Sequence, residues 1–110
     1  MTKIKLARTF DDLPIACALS DPNEIEGRRR AIEELFAGIR EREELTDGYE
    51  FVFAGDDAWA ARLTQFVSTE RKCCPFLQFE LVFEQDCGPI RLRLRGGAGV
   101  KEFIAEWAKK

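Results

Sequence analysis

Residues 77–95 constrain the fold more than any other part of the chain. Leu77, Phe79, Leu81 and Phe83 alternate with Gln78, Glu80, Val82 and Glu84. Ile90, Leu92 and Leu94 alternate with Arg91, Arg93 and Arg95. Asp86-Cys87-Gly88-Pro89 lies between the two runs. A period of two puts successive side chains on opposite faces of a strand, so this segment reads as a β-hairpin with one apolar and one charged face. A two-stranded ribbon is not stable alone in water, and its apolar face must be covered.

The covering elements are legible on either side. Ser20-Asp21-Pro22-Asn23 carries a capping residue and a proline suited to a first helical turn. Ile25, Ile32, Leu35, Phe36 and Ile39 then recur at helical spacing, with charges such as the i,i+4 pair Glu26–Arg30 on the other face. This predicts a helix ending near Leu45, before Asp47-Gly48. Tyr49-Glu50-Phe51-Val52-Phe53 alternates as a strand. Gly55-Asp56-Asp57 caps a second helix, whose inward stripe is Trp59, Leu63, Phe66, Val67 and Glu70. Pro75 ends it near Cys73, because the residue before a proline avoids the helical region. Gly96-Gly97-Ala98-Gly99 closes the hairpin and opens a last helix with Val100, Phe103, Ile104 and Trp107 on one side. Lys3 to Leu6 suits a short edge strand, and Leu13 to Leu19 a buried strand or an ordered loop. The expected fold is α+β: a three- or four-stranded antiparallel sheet with about three helices on one face, in the order (β)αβαββα. With 110 residues, 45% of them hydrophobic, the chain suits a single domain spanning 1–110.

Charge and composition exclude several functions. The net charge is −3, and the one basic cluster, Arg28-Arg29-Arg30, is surrounded by glutamates. Nucleic acid is therefore not the expected partner. No run approaches the ~20 apolar residues of a membrane span, and the N-terminus lacks a secretory apolar core. A cytoplasmic location is the simplest expectation. There is no histidine, which removes histidine acid–base chemistry, serine–histidine triads and histidine-containing metal sites.

Four cysteines remain, and in a reducing compartment they are expected as thiols. Cys73 and Cys74 are adjacent. Their Cα atoms stand ~3.8 Å apart, whereas an unstrained disulfide spans ~4.4–6.8 Å. A bond between them would be a switch rather than a staple. As thiolates they supply two ligands for a thiophilic metal ion, and a third donor is needed. Cys87 sits at the far end of the first hairpin strand, about 25 Å away at ~3.3 Å per residue, so only a partner subunit would bring it near. Cys17 is the remaining candidate. Arg71 and Lys72 favour thiolate at the pair, while burial and the negative end of the helix oppose it. The competing reading makes the cysteines small apolar core residues.

Ile15-Ala16-Cys17-Ala18-Leu19, Glu24 with Arg28-Arg29, Glu70-Arg71-Lys72-Cys73-Cys74-Pro75-Phe76 and Gly88-Pro89 together resemble a set of small uncharacterised bacterial proteins. These share an "AC-x-L … RR … ER-x-CCPF … GP" pattern, with no established activity. The resemblance implies a site of Cys17, Cys73 and Cys74, with Cys87 outside it. Arg28 and Arg29, supported by Glu70 and Arg71, would face that site, or else form a solvated helix face paired with glutamates. Two functions follow, beside a third, an enzyme using an acid or arginine site on the open sheet face, that no sequence feature selects. One is a thiol module that binds a soft metal or metalloid, or acts in redox. The other is a non-catalytic, self-associating interaction domain with structural cysteines. Homodimer formation is an expectation of the second. The glycine-rich loop 96–99 lacks the Lys-Ser/Thr of a phosphate loop. Arg91, Arg93 and Arg95 are expected to pair across the sheet with Glu80 and Glu84. Asp11-Asp12 and Asp56-Asp57 read as turns and caps.

Overall fold

A computed structural model of the chain describes residues 21–108. Three helices and a four-stranded antiparallel sheet follow in the order αββαββα. The helices are α1 (Pro22–Phe36), α2 (Asp57–Cys73) and α3 (Val100–Ala108). The strands are β1 (Glu41–Leu45), β2 (Gly48–Phe53), β3 (Gln78–Phe83) and β4 (Ile90–Arg95), arranged in space as β1-β2-β4-β3. The α+β class, the antiparallel sheet and the helices packed against it agree with the sequence reading.

One element differs. The first helix stops at Phe36 rather than near Leu45, and Glu41–Leu45 forms a strand paired with β2, Leu45 opposite Gly48. The chain leaves the helix beside Trp59. A Cβ on Gly38 would lie 2.2 Å from the Trp59 ring, so the chain passes close against that ring. Glu41, Arg42, Glu43 and Glu44 favour helix intrinsically, but they are all exposed on an edge strand, where charge is compatible with pairing on one side only. The fourth strand among the described residues is thus β1. Lys3–Leu6, Leu13–Leu19 and Cys17 lie outside the described residues.

Side-chain caps fix the starts of α1 and α2. Asp21 accepts the Asn23 N–H at 2.8 Å and Asp56 accepts the Trp59 N–H at 2.8 Å, satisfying donors that a helix N-terminus leaves free. The core lies between the helices and one sheet face. Phe51, Phe53, Ile90, Leu92 and Leu94 of the sheet pack with Leu35, Phe36, Leu63, Phe66, Phe76 and Ile104. Phe36 stands 4.9 Å from Phe51, centroid to centroid, and Trp107 6.0 Å from Phe36. These contacts gather α1 and α3 over the central strand β2. Gly48 marks a close approach of β2 to β4. A Cβ there would meet the Leu94 carbonyl oxygen at 1.8 Å.

The opposite sheet face carries an ion-pair ladder. Arg91 contacts Glu50 (2.8 Å) and Glu84 (2.6 Å), Arg93 contacts Glu50 (2.8 Å) and Glu80 (3.4 Å), and Arg95 contacts Glu80 and Asp47 (both 2.8 Å). Glu50 is buried beneath two arginines. The Arg93 hydrogen bond, joined by that of Arg91, holds its carboxyl below the ordinary value against the opposing effect of burial. The expected partners Glu80 and Glu84 are present, and Glu50 and Asp47 complete the set.

Candidate functional site

The C-terminal turn of α2 carries Glu70, Cys73 and, as its cap, Cys74. Glu70 continues the inward stripe of Leu63 and Phe66, so a carboxylate is delivered into the core. It is 3% exposed, and a charge so buried requires a partner. Arg28 of α1 provides it. Its Nε donates to Glu70 Oε1 at 2.8 Å. The same guanidinium places Nη2 2.9 Å from Cys74 Sγ, and its Cζ lies 5.5 Å from the Trp107 ring centroid on α3. One side chain therefore joins all three helices at a single sulfur.

The cluster closes on itself. The Cys74 thiol donates to Glu70 Oε1 at 3.8 Å, and the Cys74 backbone N–H donates to the Glu70 carbonyl at 2.7 Å. Cys74 is fully buried and Cys73 is 7% exposed. Burial raises the Glu70 carboxyl above its ordinary value, and the charge and hydrogen bond of Arg28 only partly offset it. A carboxyl so placed holds a proton more readily than one on the surface. The guanidinium also lines two clefts open to the surface, one between α1 and α3 beside Ile25, Ile32 and Trp107, the other between α1 and α2 beside Phe66 and Glu70.

Of the residues singled out in the sequence, Arg28, Glu70 and Cys74 meet directly, with Cys73 adjacent in the chain. Arg29 does not join them. It is exposed and pairs with Glu26 (2.6 Å) and Glu33 (2.8 Å) on its own helix. Residues 28 and 29 lie about 100° apart on a helix of 3.6 residues per turn, so consecutive arginines cannot share one face. Arg71 and Lys72 are exposed on the outer side of α2. The cation beside the thiol thus comes from α1 and not from the neighbouring positions. Cys87 occupies the exposed β3–β4 turn with φ of 53°, at the far end of β3. Trp107, which faces Arg28, stands in the sequence only as part of the apolar side of the last helix. Nothing in its helical spacing distinguishes an indole facing an arginine from one facing leucines.

No group of three or more histidine, cysteine or acidic side chains able to hold a metal is present among the described residues. No helix among them is long and apolar enough to cross a membrane. Comparison with family models, curated proteins and solved structures finds no match to the chain.

Proposed function

We propose that the chain is a thiol-based binding module in which Cys73 and Cys74, with Cys17 as the third donor, take a thiophilic metal or metalloid ion. The observation that carries this reading is the Arg28–Glu70–Cys74 cluster. A part-buried cation held against a buried sulfur stabilises the anion that a soft ion requires. A core cysteine acting as a small apolar residue needs no such neighbour. The raised affinity of Glu70 for a proton supports the same reading. When the thiol loses its proton to form a metal–sulfur bond, Glu70 is 3.8 Å away to accept it, and Arg28 keeps the new sulfur anion paired.

The test is thiol titration of the reduced protein with and without Zn(II), Hg(II) or As(III), followed by native mass spectrometry. Protection of Cys73 and Cys74 with a matching mass increase is expected, weakened by Cys17→Ser and by Arg28→Met. If none of the three ions protects a thiol and the pair resists oxidation, the reading fails. The alternative, an interaction domain with structural cysteines, is favoured by the full burial of Cys74. It predicts that Cys73→Ala with Cys74→Ala loses cooperative unfolding in a protein that binds no ion.

A further inference from the structure

The sheet has two edges open among the described residues, and they are built differently. On β1, Glu41, Arg42, Glu43 and Glu44 are all exposed, so charge guards both faces of that edge against another strand. On β3 the sequence is Gln-Phe-Glu-Leu-Val-Phe. Its one charge, Glu80, is drawn inward by Arg93 and Arg95. Phe83 at its end is 54% exposed.

The phase of the hydrogen bonds shows which groups β3 leaves at that edge. The Glu84 N–H donates to the Pro89 carbonyl at 3.3 Å. In an antiparallel pair, bonded and non-bonded residue pairs alternate. With Phe83 opposite Ile90, Gln78, Glu80 and Val82 direct their backbone groups to β4. Phe79, Leu81 and Phe83 therefore direct theirs outward. The Gly96 N–H donating to Asp47 on the other side of β4 has the complementary phase.

We propose that β3 pairs antiparallel with β3 of a second copy, about a two-fold axis at Leu81, giving one continuous eight-stranded sheet. The outward set Phe79-Leu81-Phe83 reads the same in both directions about Leu81, and a two-fold interface requires such self-complementarity. Directly opposed residues share a sheet face, so the axis passes through a residue and not between two. An axis at Glu80 would oppose two carboxylates, which is destabilising. An axis at Leu81 pairs Phe83 with the partner's Phe79 and Leu81 with the partner's Leu81, all through outward-directed backbone groups. On the other face it sets Gln78 opposite the partner's Glu84, an amide donor to a carboxylate, and Glu80 opposite the partner's Val82. No like charges are directly opposed; the diagonal neighbours of Glu80 are the partner's Glu80 and the partner's Glu84, and each glutamate is held by arginines of its own chain. Beside Phe83 the open groove toward α2 is lined by Asp57, Ala61, Thr64, Gln65 and Ser68.

Light scattering and sedimentation of the full chain test this pairing. The expected mass is twice 12.6 kDa, falling to the monomer value for Phe83→Lys, with the far-ultraviolet circular dichroism of the variant unchanged because Phe83 is exposed. In a Cys87→Ser background, Leu81→Cys is expected to form a disulfide-linked dimer on mild oxidation. A bonded antiparallel pair places its Cα atoms ~5.5 Å apart, within the ~4.4–6.8 Å a disulfide spans. A wild-type monomer with no Leu81→Cys cross-link overturns the proposal, as it would if residues 3–6 of the same chain took the edge. A dimer that survives Phe83→Lys and leaves Leu81→Cys uncross-linked also overturns it, by placing the interface elsewhere.

Discussion

Replacing Arg28 by methionine tests the energetic role of the cluster. Methionine keeps much of the unbranched aliphatic stem and removes the charge. Glu70, with its side chain only 4% exposed, would then be a buried carboxylate without its guanidinium. Breaking one side of a buried ion pair costs about 3–5 kcal/mol. At ~4–8 °C of midpoint per kcal/mol for a domain near this size, the variant should melt at least ~12 °C below wild type at neutral pH. The loss should depend on pH. Burial already raises the Glu70 carboxyl, and Arg28 opposes that rise. Without Arg28 the folded value climbs further above the unfolded one. A raised carboxyl binds more protons folded than unfolded, so stability is retained below the unfolded value near 4.5 and declines as pH rises through the folded value. The deficit of Arg28→Met should thus be small near pH 4 and grow toward pH 7. Arg28→Met with Glu70→Met should recover most of it, because an apolar replacement of a whole buried pair is often neutral. Urea unfolding of the four proteins at several pH values, followed by tryptophan fluorescence, measures all of this. A single-variant loss under ~1 kcal/mol at pH 7, or one equal at pH 4 and pH 7, would refute the assignment of Arg28 as the counter-charge.

Other outcomes follow from the same contacts. Glu50→Ala should cost on the order of 2 kcal/mol, because two charge-assisted hydrogen bonds are lost beneath the ladder, while Glu84→Ala at the exposed end should change stability by under ~0.5 kcal/mol; urea midpoints compare them. Because the Glu50 carboxyl is lowered, its contribution is present above the unfolded value and lost as pH falls through the folded one. That slope should vanish in Glu50→Gln. Gly48→Ala should destabilise by roughly 1–3 kcal/mol or more, since its Cβ has no space against the Leu94 carbonyl; thermal unfolding reads it. In a Cys17→Ser background, a thiol-reactive chromophore should label the exposed Cys87 quickly and the buried Cys73 and Cys74 only at the rate of opening.

The strongly periodic elements were legible from sequence, because burial on one face leaves a period-two or 3.6-residue imprint. The hairpin of β3 and β4 follows that rule, while the caps at Asp21 and Asp56 and the end of α2 at Cys73 were legible from capping residues and from Pro75. β1 left no such imprint. It is exposed on most of its length, so its residues record solvent, and Glu-Arg-Glu-Glu reads as helix. Within the site, the sequence places Glu70 on the inward stripe of α2, and the structure shows the partner that a carboxylate there requires. The choice between Arg28, Arg29 and Arg71 as that partner depends on helix rotation and on how α1 crosses α2, and neither is written in local spacing.

The arginine ladder has a consequence for strand alignment. Its rungs repeat: arginine at every second position of β4, with leucine or isoleucine between them. A slip of β4 by two residues against its neighbours would place leucine where leucine had been and arginine where arginine had been. The interior of the ladder therefore carries little information about which alignment is right. That information resides at its ends, where Asp47 receives Arg95 and Glu84 receives Arg91, and at Gly48, which fits one carbonyl. A repeating pattern makes a stable strand, and these terminal residues make it a unique one.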